Sequence, residues 1–220
     1  MHLQGARSPL TLWDHIVYPV SVNIITSPEA ERADSRQLTV LDAAIGVFAR
    51  YGFRKTSMDE VAHAAGISRQ GLYLQFANKE ELFRRTLEHS LNSQLAAAIA
   101  ALSHAEDGLE PRLVAACDAW CGRFVGSLGS DAADLMCAST SLAGTTLAHY
   151  EARFEAALAG AIADSPPDRV CTRAGLGAAE VARVLHAAAR GFKQSCASRE
   201  EFIQSMTAAA RMCCAPLHRP

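Results

Sequence analysis

The 220-residue chain is half hydrophobic and carries a net charge of −2. This composition argues against a wholly disordered polypeptide and against a polybasic nucleic-acid coat, so any DNA binding has to be local. It contains no run of about 18 apolar residues that would span a membrane, and no secretory signal pattern, so we expect a cytoplasmic protein without a membrane partner. The seven cysteines are an odd number, which favours reduced thiols packed as small hydrophobic side chains.

Residues 1–35 differ from the rest of the chain. They contain three prolines, show no helical period and carry a net charge of −2. We predict a flexible N-terminal extension. Two alternatives stay open, an over-long translation start and an arm that reaches DNA. For the second, the segment offers only Arg7 and Arg32 to phosphates.

A helical period begins at Leu38, where four apolar residues fall on one helix face: Leu38, Leu41, Ile45 and Phe48. Gly52 is a suitable stop for this helix. A capping box follows, with either Thr56 and Asp59 or Ser57 and Glu60 as its members. The short helix that it starts is predicted to stop at Gly66.

Ser68 is a good N-cap for a second short helix over residues 69–75. Asn78 then caps a longer helix that runs to about Leu102. Two short helices joined by a tight turn at Gly66 are typical of a helix-turn-helix. Because the remaining chain is rich in alanine, it favours helix. Further helices are predicted near 109–128, 131–148, 149–164, 177–195 and 198–213.

The second short helix carries the residues for reading DNA. In a helix-turn-helix, the first turns of this helix lie against base edges in the major groove. Arg69 can form a pair of hydrogen bonds to guanine, and Gln70 can do so to adenine. Gly71 lets the helix backbone approach the DNA closely, and the long, amphipathic side chain of Tyr73 suits a phosphate oxygen.

Flanking residues are predicted to hold the DNA backbone. The hydroxyls and free N–H groups of Thr56 and Ser57 can hold a phosphate at the start of the first short helix, and Lys79 offers a cation on the same side. Residues 36–90 hold eight Lys and Arg against six Asp and Glu, whereas residues 91–220 sum to −2. The predicted DNA-binding residues are Thr56, Ser57, Ser68, Arg69, Gln70, Gly71, Tyr73 and Lys79.

Three segments together resemble the DNA-binding domain of the tetracycline-repressor (TetR) family: residues 52–58, 61–68 and 72–83. The resemblance covers about 50 residues, from near Leu38 to Leu87. It implies an all-α homodimer with an N-terminal three-helix helix-turn-helix DNA-binding domain and a C-terminal helical ligand-binding and dimerisation domain. It places the family's DNA contacts on the residues predicted above, apart from Gly71. The predicted domains are residues 1–35, 36–83 and 84–220.

The C-terminal domain offers bulky apolar residues for a core and for a ligand pocket, because cavities in helical domains are apolar with a few polar groups. Trp120, Phe124, Met136 and His149 are the predicted pocket residues. The last two helices carry apolar stripes, which either are covered within one subunit or build a four-helix dimer interface. The resemblance favours the interface, and its predicted residues are Val181, Leu185, Ala188, Phe192, Phe202 and Met206.

The predicted function is a ligand-responsive transcriptional regulator that binds a palindromic double-stranded DNA operator as a dimer. Repression is the favoured effect, and the sequence does not decide between repression and activation. In the family, binding of a small-molecule effector usually releases DNA. No catalytic motif is visible, so we predict no enzyme and no cofactor. One alternative is a helical dimerising interaction protein without specific DNA binding. Another is a thiol- or metal-responsive variant, because Cys117 and Cys121 share a helix face, although no zinc ligand cluster supports it.

Overall fold

In the computed structural model, the described residues are 28–104, 106–126, 132–165 and 175–214. The chain divides into two units, Met1–Ser35 and Arg36–Pro220. The predicted all-α class is confirmed, since the described residues form helices and no strand. The α-helices are α1 (Pro28–Lys55), α2 (Met58–Ala64), α3 (Arg69–Tyr73), α4 (Lys79–Leu102), α5 (Leu109–Trp120), α6 (Ala132–Ala163), α7 (Ala178–Ser195) and α8 (Arg199–Cys214), with a 3-10 turn at Gly122–Phe124.

Helix α1 begins earlier than the apolar period predicts. It starts at Pro28, where proline is tolerated because the N–H groups of a first helical turn have no partner within the helix. The prediction that residues 1–35 lack helix is therefore wrong for residues 28–35, and residues 1–27 lie outside the described part. The predicted stop at Gly52 is a break inside α1: this residue leaves the helical conformation at φ 76° and ψ 178°, a left-handed φ that glycine adopts without strain, and the element continues to Lys55.

The first core lies among α1 to α4. The ring of Phe83 on α4 meets the edge of Phe48 on α1 at 5.0 Å between centroids, and Phe53 lies 5.1 Å from the same ring. Leu38 departs from the prediction, because it is 47% exposed. The buried residues of this core are Val40, Leu41, Ala44, Val47, Phe48, Met58, Val61, Ala62, Leu72, Phe76, Leu82 and Phe83, with Ala138 of α6.

The second core joins the later part of α4 to helices α5 to α8. Trp120 of α5 stacks on Phe154 of α6, with ring centroids 4.9 Å apart and planes 14° from parallel. Leu87 of α4 packs against both cores. The division predicted between residues 83 and 84 therefore falls inside a continuous helix, and it stays a prediction.

Helix α6 replaces the two helices predicted over 131–148 and 149–164. It is one 32-residue element with a kink at Ala143, where φ is −146° and ψ is 27°. Just before the kink, the hydroxyl of Ser139 donates to the carbonyl of Leu135 at 2.8 Å, and that of Thr140 donates to Met136 at 3.1 Å. Such bonds compete with the helix ladder and bend helices, so the expected break becomes a kink.

The other late helices begin and end close to the predicted limits. Helix α5 is shorter than the predicted segment 109–128, because the chain passes from Trp120 into the 3-10 turn. Within the described part of the chain, no helix has the length and apolar character that a bilayer crossing requires.

Candidate nucleic-acid interface

Ser57 caps the N-terminus of α2, the first helix of the helix-turn-helix. The N–H of Glu60 donates to Ser57 Oγ at 3.2 Å, and the N–H of Ser57 donates to a Glu60 carboxylate oxygen at 2.7 Å. This is a capping box in the second of the two predicted frames. The bond from the Ser57 N–H, followed by a bond of 2.9 Å from the Ser57 hydroxyl to the same carboxylate oxygen, holds the pKa of Glu60 below its ordinary value. The Ser57 hydroxyl and N–H are thus engaged inside the protein.

The turn between α2 and α3 depends on one left-handed residue. Gly66 has a φ of 68°, which a side chain would disfavour. The chain then folds back, and the N–H of Ile67 donates to the carbonyl of Ala62 at 3.0 Å. Ser68 starts α3 as predicted, since its hydroxyl oxygen accepts the N–H of Gly71 at 3.0 Å.

Helix α3 has one buried and one open face. Leu72 is fully buried, whereas Arg69, Gln70 and Tyr73 are exposed. The Arg69 guanidinium lies 3.0 Å from Asp59 on α2 and 5.6 Å from the centre of the Tyr73 ring. These contacts hold Arg69 along the open face, where it remains 64% exposed.

Gly71 is constrained by the cap as well as by the predicted approach to DNA. A Cβ at this position would lie 3.2 Å from Ser68 Oγ, tighter than an ordinary contact. The absent side chain therefore makes room for the hydroxyl that caps α3. Leu74, directly after α3, is 82% exposed, a feature that the sequence analysis missed because helical periodicity does not extend past a five-residue helix.

Two predicted phosphate contacts are structural in this fold. Thr56 is buried, and its hydroxyl donates to the carbonyl of Gly52 at 2.7 Å. The Lys79 ammonium donates to three carbonyls at the end of α1: those of Phe53 at 3.0 Å, Arg54 at 3.2 Å and Thr56 at 3.0 Å. All three ammonium protons have acceptors in the DNA-free protein, so Lys79 caps the end of α1, and its contact with a phosphate stays a prediction.

A cavity of about 630 Å³ lies between the two cores. Trp120, Phe124 and Met136 line it as predicted. His149 is not part of its wall and instead meets the ring of Tyr150 edge-on, with 5.8 Å between centroids. The pocket prediction therefore does not hold for His149, which is exposed.

The predicted dimer residues divide into two groups. Four of them are at most 2% exposed inside the second core, because α7 and α8 pack these stripes against their own subunit: Val181, Leu185, Phe202 and Met206. This corrects their assignment. Ala188 and Phe192 are half-buried. On the outer face of α7, Val184 is 58% exposed and lies beside Ala187 and Gly191, which are also exposed.

The two cysteines that share a face of α5 are shielded from solvent. Cys117 and Cys121 are both buried, and burial raises the pKa of Cys117 far above its ordinary value and that of Cys121 to about 11. Reactive sensor thiols have lowered pKa values and access to solvent. Across the described residues, no group of three His, Cys, Asp or Glu side chains is placed to hold a metal ion.

Comparison with known proteins points to the helix-turn-helix segment. The model for bacterial regulatory proteins of the tetR family matches residues 40–86, from the second half of α1 to the first turns of α4. This segment is therefore similar to the DNA-binding part of tetR-family regulators, in agreement with the resemblance predicted from the sequence.

Curated relatives match part of the chain. The uncharacterized HTH-type transcriptional regulator YfiR of Bacillus subtilis is 46% identical over 65 residues, 30% of this chain and 32% of that protein. The negative regulator IcaR of the biofilm operon icaADBC in Staphylococcus epidermidis is 32% identical over 53 residues, 24% of this chain and 29% of its own. The match thus spans about a third of the length of these relatives.

Solved structures share the fold over most of both chains. PfmR, a TetR-family regulator of Thermus thermophilus, superimposes with a TM-score of 0.58 at 19% identity, covering 82% of this chain and 99% of its own. The reduced form of NemR from Escherichia coli gives a TM-score of 0.65 at 16% identity, covering 83% and 100%. These similarities show that the chain shares the fold of these proteins.

Proposed function

We propose that this protein is a ligand-responsive transcriptional repressor whose α3 reads an operator. The observation that carries the proposal is the open face of α3, where Arg69, Gln70 and Tyr73 stand together, exposed, on a helix fixed by the Ser68 cap. Arg69 is assigned to guanine and Gln70 to adenine, with Tyr73 on a phosphate.

The ion pair between Arg69 and Asp59 is compatible with this role. Both side chains are more than half exposed, and a pair of that kind stabilises a protein by less than about 1 kcal/mol. A two-bond contact from arginine to guanine discriminates by about 1–3 kcal/mol. The guanidinium therefore gains by exchanging the aspartate for a base, and the pair holds it near α3 until DNA arrives.

The active species is a homodimer that matches a palindromic operator. The outer face of α7 carries Val184, Ala187 and Gly191, whose small side chains allow a second helix to approach closely. A two-fold interface on α7 and α8 presents two copies of α3 to successive major grooves, about 34 Å apart. A bacterial gene regulator of this kind works where the chromosome lies, in the cytoplasm.

Helix α6 is the proposed link between the cavity and the DNA-binding domain. Near its start, Asp134 accepts the N–H of Arg54 at 2.8 Å and the Arg54 Nε–H at 2.9 Å. One turn on, Ala138 is buried in the first core, while Leu135 and Met136 line the cavity. An effector that shifts this segment before the kink at Ala143 changes the placement of α1 and hence of α3, and operator affinity falls.

The test is selection of bound fragments from the source genome by the purified full-length protein. We expect enrichment of a palindromic sequence and repression of a reporter gene placed behind it. A folded dimer that enriches no sequence would refute the proposal and favour an interaction protein. Activation of the reporter would refute the repressor role alone.

A further inference from the structure

The cavity has the size of a small-molecule site, which occupies about 300–1,000 Å³. Its volume is about 630 Å³. Aromatic side chains line part of the wall, among them Phe83, Trp120 and Phe124. Among the described lining residues, the basic side chains all lie on α7, at helical spacing: His186, Arg190 and Lys193.

His186 presents an unmet hydrogen-bonding group. Its side chain is 3% exposed, and its Nδ1 lies 2.8 Å from a carboxylate oxygen of Glu155. The Nε2 atom is buried and has no hydrogen-bond partner among the described residues. Buried polar atoms are rarely left unpaired, so such an atom in a cavity wall indicates a missing partner.

The hydrogen bond between His186 Nδ1 and Glu155 determines whether the missing partner of Nε2 is a donor or an acceptor. A carboxylate only accepts, so Nδ1 is the nitrogen that carries a proton and donates to Glu155. In the neutral ring, Nε2 then keeps a lone pair and accepts. The His186 ring packs in a T-shaped arrangement against the Trp120 and Phe154 rings, at 6.5 Å and 5.4 Å between centroids. The missing partner is therefore a hydroxyl or N–H donor attached to an apolar, planar body.

The C-terminal end of this α7 row carries the two cationic side chains, those of Arg190 and Lys193. Arg190 lies 3.5 Å from Glu151, which lines the same cavity. The Lys193 ammonium lies 5.4 Å from the centre of the Phe124 ring, and it has no carboxylate partner in the described ranges. Among the described lining residues, two cations thus face one carboxylate, and the excess positive charge favours an anion.

We infer that the cavity binds an aromatic carboxylate that carries a hydroxyl group at the opposite end of the molecule. The hydroxyl donates to His186 Nε2, the carboxylate pairs with Lys193, and the ring packs on Trp120 and Phe124. His186 and Lys193 are seven residues apart on α7, about 10 Å along the axis, which suits one ring with substituents at both ends. This inference rests on the proposed function, because it gives the chemistry of the effector.

The test is calorimetric titration of the full-length protein, without DNA, with 4-hydroxycinnamate and 4-hydroxybenzoate. Two related compounds isolate the groups: 4-methoxycinnamate lacks the donor, and 4-hydroxycinnamyl alcohol lacks the charge. We expect each change to weaken binding by about tenfold, the size of one lost hydrogen bond or ion pair. Equal binding of the methoxy compound, or tighter binding of the alcohol, would overturn the inference.

Two variants assign the ends of the ligand. Lys193→Met is expected to weaken binding of the carboxylate about tenfold and to leave binding of the alcohol unchanged, whereas His186→Phe removes the preference for hydroxyl over methoxy. Lys55→Met, which removes a lysine on α1 outside the cavity wall, is the matched control. A carboxylate affinity unaltered in Lys193→Met would refute the assignment even if His186→Phe fails to fold.

Operator binding measured on the same samples separates the two proposals. Protein that binds its operator but ignores every aromatic acid contradicts the inference and leaves the proposed function standing. Protein that binds the acids but no DNA contradicts the proposed function and leaves the cavity chemistry standing.

Discussion

Replacing Lys79 by methionine separates a structural lysine from a phosphate contact. Methionine keeps much of the apolar stem but removes the ammonium. The loss comprises three hydrogen bonds of 3.0–3.2 Å to carbonyls at and just beyond the end of α1, and a cation–π contact of 4.6 Å to Phe53. Charged hydrogen bonds contribute about 1.5–3 kcal/mol each, and the cation–π contact about 0.5–1 kcal/mol.

These contributions do not add, because the three bonds share one donor group and the site is only half-buried, so water replaces part of them. We expect a loss of about 2 kcal/mol in the local stability of the α1–α2 junction. That corresponds to a roughly 30-fold loss of amide hydrogen-exchange protection.

The assay is hydrogen exchange of the free protein, read by mass spectrometry on peptides from α1 to α3. Arg85→Met, which removes one exposed cation from the same helix, is the control and should leave protection unchanged. If Lys79→Met kept full protection while lowering the salt slope of DNA binding by about one, Lys79 would be a phosphate contact and our assignment would be refuted.

Three further predictions concern the dimer, the thiols and the coupling. Val184→Asp places a charge on the open face of α7 and should yield a helical monomer in sedimentation equilibrium; an unchanged dimer would exclude that face. Iodoacetamide at pH 8 should label exposed Cys137 well before Cys117 and Cys121, because burial raises the pKa of the latter two, to about 11 for Cys121; equal rates by peptide mass spectrometry would contradict this. Asp134→Asn should leave effector affinity unchanged but reduce the effector's influence on operator affinity several-fold, and intact coupling would refute the α6 link.

The sequence predicted the α2–turn–α3 unit well because local chemistry determines it. Ser57, Gly66 and Ser68 act through hydrogen bonds and backbone angles within a few residues, so the caps and the turn follow from the order of residues. The exposed positions of Arg69 and Gln70 follow in turn from the buried Leu72.

Other features depend on contacts between distant segments, which one sequence does not reveal. Lys79 reaches carbonyls more than 20 positions earlier in the chain, at separations of 23 to 26 residues. Periodicity predicts which residues of α7 and α8 share an apolar face. It does not predict whether that face packs against its own subunit or against a second one, so the prediction placed Val181 and Phe202 on the wrong face. His186 carries no local signal at all, because its role arises from Glu155 and the rings packed around it.

The most direct test of the central claim is base preference measured with substituted recognition helices. Arg69→Ala and Gln70→Ala would each be used to select bound sequences from a randomised operator at several salt concentrations. We predict that each variant loses about 1–3 kcal/mol of discrimination at one base pair per half-site while the salt slope stays nearly constant. Unchanged base preference in both variants would contradict the claim that α3 reads the operator.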